Sequence, residues 1–575
     1  MADNQVPALS NTMGDRLKDG NTIGSQEVAS SDSIDARRTH NAALPICLLP
    51  IEIFARILEE CLTVRRPSSS NILPPRSSMR QRCQKTLSHV CHYWRDVALS
   101  MAVLWSYLDI DRYTAFEAVE ERLRRSKKAL LHVYVDYPDL KLAPTLIDHR
   151  SFTAVFRELP RVQTLGLHIS DSTLLRWSQL PALYLKALQL VNYREVLDLQ
   201  EDADHGVRPD NIVPEDSIGL ESLSIAGFAR TLESRCPALK SLSVTSFKFS
   251  FRDWILPPSL THLTVYNDSS PATPTSFDDV IQALQRLPSL RHLTLEHALP
   301  SSARPATGTY SEPVLPQLQS LTLFDSLRPS VYFMNGLRGS SASLHLTVQM
   351  QTYEELARYP SLSPAVSPEQ RLQTISIVFN EGYPRWDDEE AFMFQAWRDQ
   401  YTLEDLEKIW PASSVGDINI SLVVNPEMSL NSDLSSLHQF VAGLPLSYTT
   451  SMFLECERNE RSSFFPLDAF RCMTKLHTLY VVGNANQFGV AASLVSFLNE
   501  DGEVVLPSLR VLHLERIDFG ARFPQFPRFL KALRKRQGLA RIEKLVIRKC
   551  HNILPEGVRD LEEIIPVDWD SRVRC

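Results

Sequence analysis

The stretch Leu290-Arg291-His292-Leu293-Thr294-Leu295 decides how this chain is read. Its last three residues alternate apolar, polar, apolar, the pattern of a strand with one buried face. The leucine three residues earlier turns inward as the chain enters that strand, with Pro288 just upstream. The phrase Leu-x-x-Leu-x-Leu recurs as Leu220/Leu223/Ile225, Leu239/Leu242/Val244, Leu260/Leu263/Val265 and Leu318/Leu321/Leu323. It returns as Leu476/Leu479/Val481, Leu509/Leu512/Leu514 and Ile542/Leu545/Ile547, with looser copies at Val162/Leu165/Leu167, Leu185/Leu188/Leu190 and Leu372/Ile375/Ile377. Leu131, Val133 and Val135 alternate in the same way. Between copies lie segments with helical spacing, such as Phe277–Leu287 with Val280, Ile281, Leu284 and Leu287 on one face. Strand and helix in alternation predict an α/β solenoid with a curved, mainly parallel sheet on its inner side. The intervals vary, and extra residues in such an array go to its outer side.

Outward from this array, toward the N-terminus, the pattern becomes purely helical. Pro50 suits the first position of a helix, and Glu52 meets the positive end of its dipole. Ile53, Phe54, Ile57, Leu58, Cys61 and Leu62 form one apolar stripe, and Leu87, Val90, Cys91, Trp94, Ala98 and Met101 form a second. About 60 residues give a small core, so such a unit gains by leaving apolar surface for a partner. Residues 63–81 between the stripes are rich in Ser, Pro and Arg and predict a surface loop. Residues 1–42 are polar, without periodicity, and predict a disordered tail. The domain plan is therefore a tail at 1–42, a helical unit at 43–110, a solenoid at 111–565 and a tail at 566–575. Within the solenoid, 380–455 breaks the rhythm. There Phe392, Trp397, Tyr401, Leu403, Leu406 and Trp410 suggest helices inserted against one side. Ile418, Ile420, Leu422, Met452 and Leu454 then resume the sheet. Thr114 and Glu117 have the spacing of a capping box for a helix that ends in the basic run Arg122–Lys128.

Leu49-Pro50-Ile51-Glu52-Ile53, followed by Val90-Cys91-His92-Tyr93-Trp94-Arg95-Asp96-Val97-Ala98 and Leu104-Trp105, resembles the F-box as found in mushroom-type fungi. The 63–81 insert is a departure from that pattern. The resemblance implies an N-terminal F-box that binds an SKP-type adaptor and, through it, a cullin–RING ubiquitin ligase. It carries the adaptor contact and its supporting core onto Leu49, Pro50, Ile53, Ile57, Val90, Trp94 and Leu104. The recurring phrase resembles a degenerate leucine-rich repeat. That family expects Asn or Cys five residues after the second leucine; Asn484 and Cys550 match, Asp268 can substitute, and Phe247, Ala298, Ser326 and Ile517 do not match. The two resemblances together imply a substrate-recognition subunit, with an unknown protein target held on the concave strand face. The candidates there are Tyr266, His292, Glu296, Phe324 and Tyr480, since large side chains favour binding hot spots.

Composition excludes other classes. Lys and Arg number 60 against 68 Asp and Glu, a net charge of −8, which does not favour nucleic acid as a partner. Nine scattered cysteines with no C-x-x-C, no apolar leader and no membrane-length run imply reduced thiols in a cytoplasmic or nuclear protein. Phosphate-binding, zinc-protease and nucleophile-elbow motifs are all missing, so neither cofactor nor catalytic residue is expected. His89, Cys91 and His92 lie within one helical turn, but Cys91 falls on the apolar stripe, where a buried thiol is ordinary. Two rival readings remain: a repeat scaffold outside any ligase, and an enzyme whose non-local site lies in 380–455.

Overall fold

A computed structural model describes residues 28–62, 84, 86–111, 114–136, 149–168, 181–192, 232–247, 250–252, 254–267, 276–300, 315–337, 343–350, 354–357, 371–383, 386–401, 417–424, 435–442, 444, 446–456, 472–483, 504–519 and 525–570. Seventeen strands form one sheet among them. They are β1 (Tyr107–Asp111), β2 (Leu131–Asp136), β3 (Val162–His168), β4 (Ala187–Val191), β5 (Ser241–Thr245), β6 (His262–Tyr266), β7 (His292–Glu296), β8 (Ser320–Ser326) and β9 (Ser343–Met350), then β10 (Thr374–Tyr383), β11 (Trp386–Trp397), β12 (Ile418–Val424), β13 (Ser451–Cys456), β14 (Thr478–Gly483), β15 (Val511–Glu515), β16 (Lys544–Arg548) and β17 (Val567–Trp569). From β1 to β9 each strand pairs in parallel with the next. β9 then pairs with β12, and β10 with β13, after which sequential parallel pairing continues to β17. Only β11 runs against its neighbours, between β10 and β12.

The register turns the recurring phrase into continuous ladders. One core ladder runs Leu108, Val133, Leu165, Leu188, Leu242, Leu263, Leu293, Leu321, Leu344 across the first nine strands. It continues through Ile418, Ala396, Ile375, Met452, Leu479, Leu512 and Leu545. All these residues are buried in a single apolar core. A buried leucine or isoleucine contributes about 1.5–3 kcal/mol, so the ladder is the main cohesive term of the array. Each turn into a strand closes on the first leucine of the phrase: Leu239 N–H donates to Cys236 O, and Leu290 N–H to Leu287 O.

The strand exits are also repeated. Ser246, His297, Arg516 and Lys549 stand four residues beyond the core-ladder leucine and share a positive φ of 50–59°. That conformation is uncommon outside glycine. Here it aims Ser246 N–H at Tyr266 O, His297 N–H at Phe324 O and Arg516 N–H at Arg548 O, adding one more bond between neighbouring repeats. Cys550, expected at the position the repeat pattern reserves for Asn or Cys, is buried and its thiol bonds Leu514 O and Arg548 O. Burial pushes that thiol up to about 12. Asn484, Asp268 and the copy at Leu220 lie outside the described residues.

The helix expected after Ser276 is present at Phe277–Gln285. Ser276 Oγ accepts the Asp279 N–H, and Asp279 Oδ2 accepts the Ser276 N–H, a complete capping box. Thr114 does not play that role. Its hydroxyl closes a turn on Asp111, and the helix Phe116–Ser126 starts from Ala115 without a side-chain cap.

Within 380–455, Ile418, Ile420 and Leu422 on β12 and Met452 and Leu454 on β13 resume the sheet as expected, and the stretch before them is a correction. The helical insertion expected there is replaced at Trp386–Trp397 by strand β11, in the middle of the sheet. The aromatic spacing misled: Phe392, Phe394 and Ala396 belong to the main core, and Met393, Gln395 and Trp397 alternate with them, a period of two. Leu403, Leu406 and Trp410 lie outside the described residues. Three boundaries also differ from the expected plan. Val28–Ala42 is helical, Tyr107–Asp111 already belongs to the sheet, and Val567–Trp569 is its last strand. No helix among the described residues is long and apolar enough to cross a membrane.

Candidate functional site

Two surfaces carry the residues singled out from sequence. The first is the helical unit. Pro50 O accepts the Phe54 N–H, so Pro50 caps the helix Ile51–Leu62 instead of opening it. Phe54 and Leu58, four apart, are buried with Leu87, Val97, Ala98, Leu104 and Trp105. Phe54 stacks on Tyr93 at 5.6 Å and meets Trp94 edge-on at 4.9 Å. Trp105 Nε1 donates to Ala98 O at 2.8 Å, and buried Gln84 Nε2 donates to Leu104 O at 2.8 Å. The core is therefore small but hydrogen-bonded to its own turns.

The same helix is apolar on a second flank. Ile53 is 53% exposed and Ile57 38%, again four apart; apart from that flank, Ile51 in the first turn is 51% exposed, and Leu48 and Val90 in the adjoining turns are 70% and 51% exposed. Of the expected contact residues, Pro50, Ile53, Ile57 and Val90 thus lie on the surface. Leu49 and Trp94 are half-buried against the small core, and Leu104 is fully inside it. Leu48 and Ile51 extend the exposed set and were not among the expected contacts, though Ile51 lies within the quoted motif and Leu48 just before it. The insert 63–81 lies outside the described residues. His92 Nδ1 pairs with Asp96 Oδ2 at 2.9 Å. No metal-ligand cluster occurs among the described residues.

The second surface is the sheet face turned away from the main core. Tyr266, Glu296 and Phe324 sit side by side in register on β6, β7 and β8, and all three are half-buried. His292 lies four residues earlier on β7 than Glu296 and stacks on His262 at 4.3 Å. The left-handed residue His297 packs edge-on against Phe324 at 4.8 Å. Between these rows run Ser243, Thr264, Thr294 and Thr322, a band of hydroxyls across β5–β8. Burial first, then His292 and Arg291, holds the His262 imidazole below its usual range; burial and Arg291 do the same for His292.

Tyr480 does not join that group. It lies on β14, six strand spacings from β8, roughly 29 Å at the usual interval. There it stacks on Phe453 at 4.3 Å and leans on His513 at 5.0 Å. With Trp397 and Tyr401 these rings make a second apolar cluster on the open face. Trp397, read as helical, is its most buried member at 3% exposure. Beyond it the face becomes ionic: Lys544 and Arg548 pair with Asp568, Lys549 with Glu515, and Arg516 with Glu455.

No protein-family model matches the chain, and no curated protein does. A solved leucine-rich-repeat protein of Leptospira interrogans matches 72% of this chain and 98% of its own, at 12% identity and a TM-score of 0.21. The ladders described above show a long, mainly parallel open sheet built from repeated units, consistent with a leucine-rich-repeat solenoid.

Proposed function

We propose that this chain is the substrate-recognition subunit of a cullin–RING ubiquitin ligase. The helical unit at its N-terminus is an F-box that docks on an SKP-type adaptor, and the repeat array holds a protein target. The observation that carries this reading is the doubly apolar helix Ile51–Leu62. Phe54 and Leu58 build the core while Ile53 and Ile57 face out. Scattered exposed aliphatics are ordinary, but Leu48, Ile51, Ile53, Ile57 and Val90 crowd one unit of about 60 residues and suit a partner's apolar groove. Each would add roughly 1–3 kcal/mol on full burial.

In this role the chain does no chemistry itself. It holds the target near a ubiquitin carrier and raises their effective concentration. The partners are the adaptor, the cullin assembly and one protein target, without nucleic acid or membrane, in the cytoplasm or nucleus. Affinity purification of the tagged full-length chain tests the reading. Adaptor and cullin should copurify, and both should disappear with Ile53→Asp/Ile57→Asp. Recovery of adaptor without cullin leaves a repeat scaffold outside any ligase; recovery of neither rejects the docking assignment.

A further inference from the structure

Two half-buried thiols meet at the edge of the helical unit. Cys47 lies in the turn Pro45–Leu48, and Cys91 is the extended residue (φ −156°, ψ 175°) that precedes the helix His92–Ser100. Their neighbours Ile46, Leu49, Tyr93 and Trp94 all pack on the same small core, which holds the two stretches together. The Cys47 and Cys91 sulfurs stand within hydrogen-bonding reach of each other, and the Trp94 side chain also bonds the Cys47 thiol. Trp94 offers only its indole N–H, so the Cys47 sulfur accepts from it. Partial burial first, then Cys91, holds the Cys47 thiol above its ordinary range. Cys91 makes no side-chain cap bond to its helix, so its sulfur is not committed elsewhere in the backbone. Cys236 and Cys550 differ: both are buried, and burial pushes each thiol up to about 12. The place of the pair matters, because Cys47 is followed by Leu48 and Cys91 is preceded by Val90, the two exposed aliphatics of the adjoining turns.

Resting on the reading of the helical unit as the adaptor-docking module, we propose that Cys47 and Cys91 form a redox site at which a peroxide closes a disulfide and weakens docking. The Cys91 sulfur, having given up its proton, attacks one oxygen of hydrogen peroxide. The O–O bond breaks, Cys91 becomes a sulfenic acid, and the displaced hydroxide takes the proton to leave as water. The Cys47 sulfur then attacks the Cys91 sulfur. The S–O bond breaks, and the Cys47 proton departs with the hydroxide as a second water. Each sulfur loses one electron, and the two electrons reduce the peroxide. A small dithiol reverses the step by thiol–disulfide exchange. Transient, redox-sensing bridges of this kind suit a chain whose other thiols stay reduced.

The bond changes the docking surface because an S–S link is only about 2.05 Å long. Closing it draws the turn Pro45–Leu48 toward Cys91 and pulls the Cys47 sulfur off the Trp94 indole. Trp94 itself meets Phe54 edge-on at 4.9 Å, at the inner side of the helix Ile51–Leu62. Leu48, Val90 and Trp94 therefore shift relative to Ile53 and Ile57, whose helix carries neither thiol of the bridge. A partner groove matched to the dithiol form loses its fit.

The experiment treats the full-length protein with hydrogen peroxide, removes the excess with catalase and alkylates the remaining thiols. An unreduced protease digest read by mass spectrometry should show peptides joined through Cys47 and Cys91, and dithiothreitol should separate them. Titrated afterwards with a purified SKP-type adaptor, the oxidised chain should bind about tenfold more weakly than the reduced one, with recovery after dithiothreitol. Cys47→Ser/Cys91→Ser should bind like the reduced wild type before and after peroxide; serine is itself a favoured residue at the helix start that Cys91 occupies. A bridge from Cys91 to any other cysteine, equal affinity of the two redox forms, or a peroxide effect that persists in the double variant overturns the proposal. A reduced chain that captures adaptor but forms no bridge defeats the redox site alone. A chain that forms the bridge but captures no adaptor in either state defeats the docking reading, and control of docking with it.

Discussion

The helical unit and the repeat array use the same aliphatic residues to opposite ends. In the array, Leu242, Leu263, Leu293 and Leu321 lie in one ladder, each between neighbours of the same kind, and none is more than 3% exposed. In the helical unit, seven buried residues make the core among the described residues, while Ile53 and Ile57, on the same helix as Phe54 and Leu58, stay outside. An array grows its core by adding repeats, so every aliphatic finds a place. A short helical unit cannot, and its surplus faces solvent or a partner. The lesson is that exposure of an aliphatic is informative here only against the size of the core beside it.

The comparison breaks most visibly in its two cores. Phe54→Ala should cost about 3–5 kcal/mol and Leu293→Ala about 2–5 kcal/mol. The sites of damage should differ. Hydrogen exchange should show Phe54→Ala loosening residues 46–105 with the array protected, and Leu293→Ala loosening β6–β8 with the helical unit protected. Uniform loosening in both variants would show one cooperative body and dissolve the distinction.

A smaller effect tests how the far end of the array is held. Arg536 is buried, and its guanidinium donates to Val505 O at 2.9 Å and to Leu506 O, tying the helix Gln525–Gln537 to the turn before β15. Burial lowers its pKa to about 10, still fully charged near neutrality. Arg536→Met should cost about 2–3 kcal/mol, because two buried carbonyls lose their donors. A urea midpoint unchanged from wild type would remove this bond from the account.

The smallest effect is in pH. Burial holds His513 down to about 4, against an ordinary 6.5, with Glu515 at 3.9 Å opposing the shift only in part. The unfolded chain therefore takes up a proton that the folded chain refuses. The array should be at full stability above pH 6.5 and lose stability as pH falls toward 4. His513→Gln should flatten that part of the profile, measured as urea midpoints between pH 7.5 and 5. A loss of equal size in the variant would assign the acid sensitivity elsewhere.

Much of the array was legible because Leu-x-x-Leu-x-Leu states both the period and the buried side of each strand. The phrases at Leu239, Leu260, Leu290, Leu318, Leu476, Leu509 and Ile542 all enter strands of the one sheet. The first and last strands were hidden by substitution inside the same phrase. Trp105/Leu108/Ile110 opens β1 and Ile564/Val567/Trp569 opens β17, with tryptophan standing where an aliphatic usually does. Trp105 serves twice, closing the helical core and leading into the sheet, with Arg125 over its ring at 4.5 Å. β11 was illegible for another reason: it runs antiparallel, so it has no phrase to announce it. The candidate surfaces were less readable than the fold. Tyr266, His292, Glu296 and Phe324 come together because their strands are neighbours in sequence. Tyr480 falls elsewhere because five strands, β9, β12, β11, β10 and β13, stand between β8 and β14, and β11 among them carries no phrase.

The central claim is that the exposed flank of the helix Ile51–Leu62 exists for a partner. Its most direct test is titration of the purified chain with a purified SKP-type adaptor, compared with Ile53→Asp/Ile57→Asp at matched helix content and melting temperature. These positions are exposed, so each substitution should change stability by no more than about 0.5 kcal/mol. The account predicts a saturable one-to-one complex for the wild type and at least a tenfold weaker one for the variant. No complex with the wild type, or equal affinity for a folded variant, would contradict it.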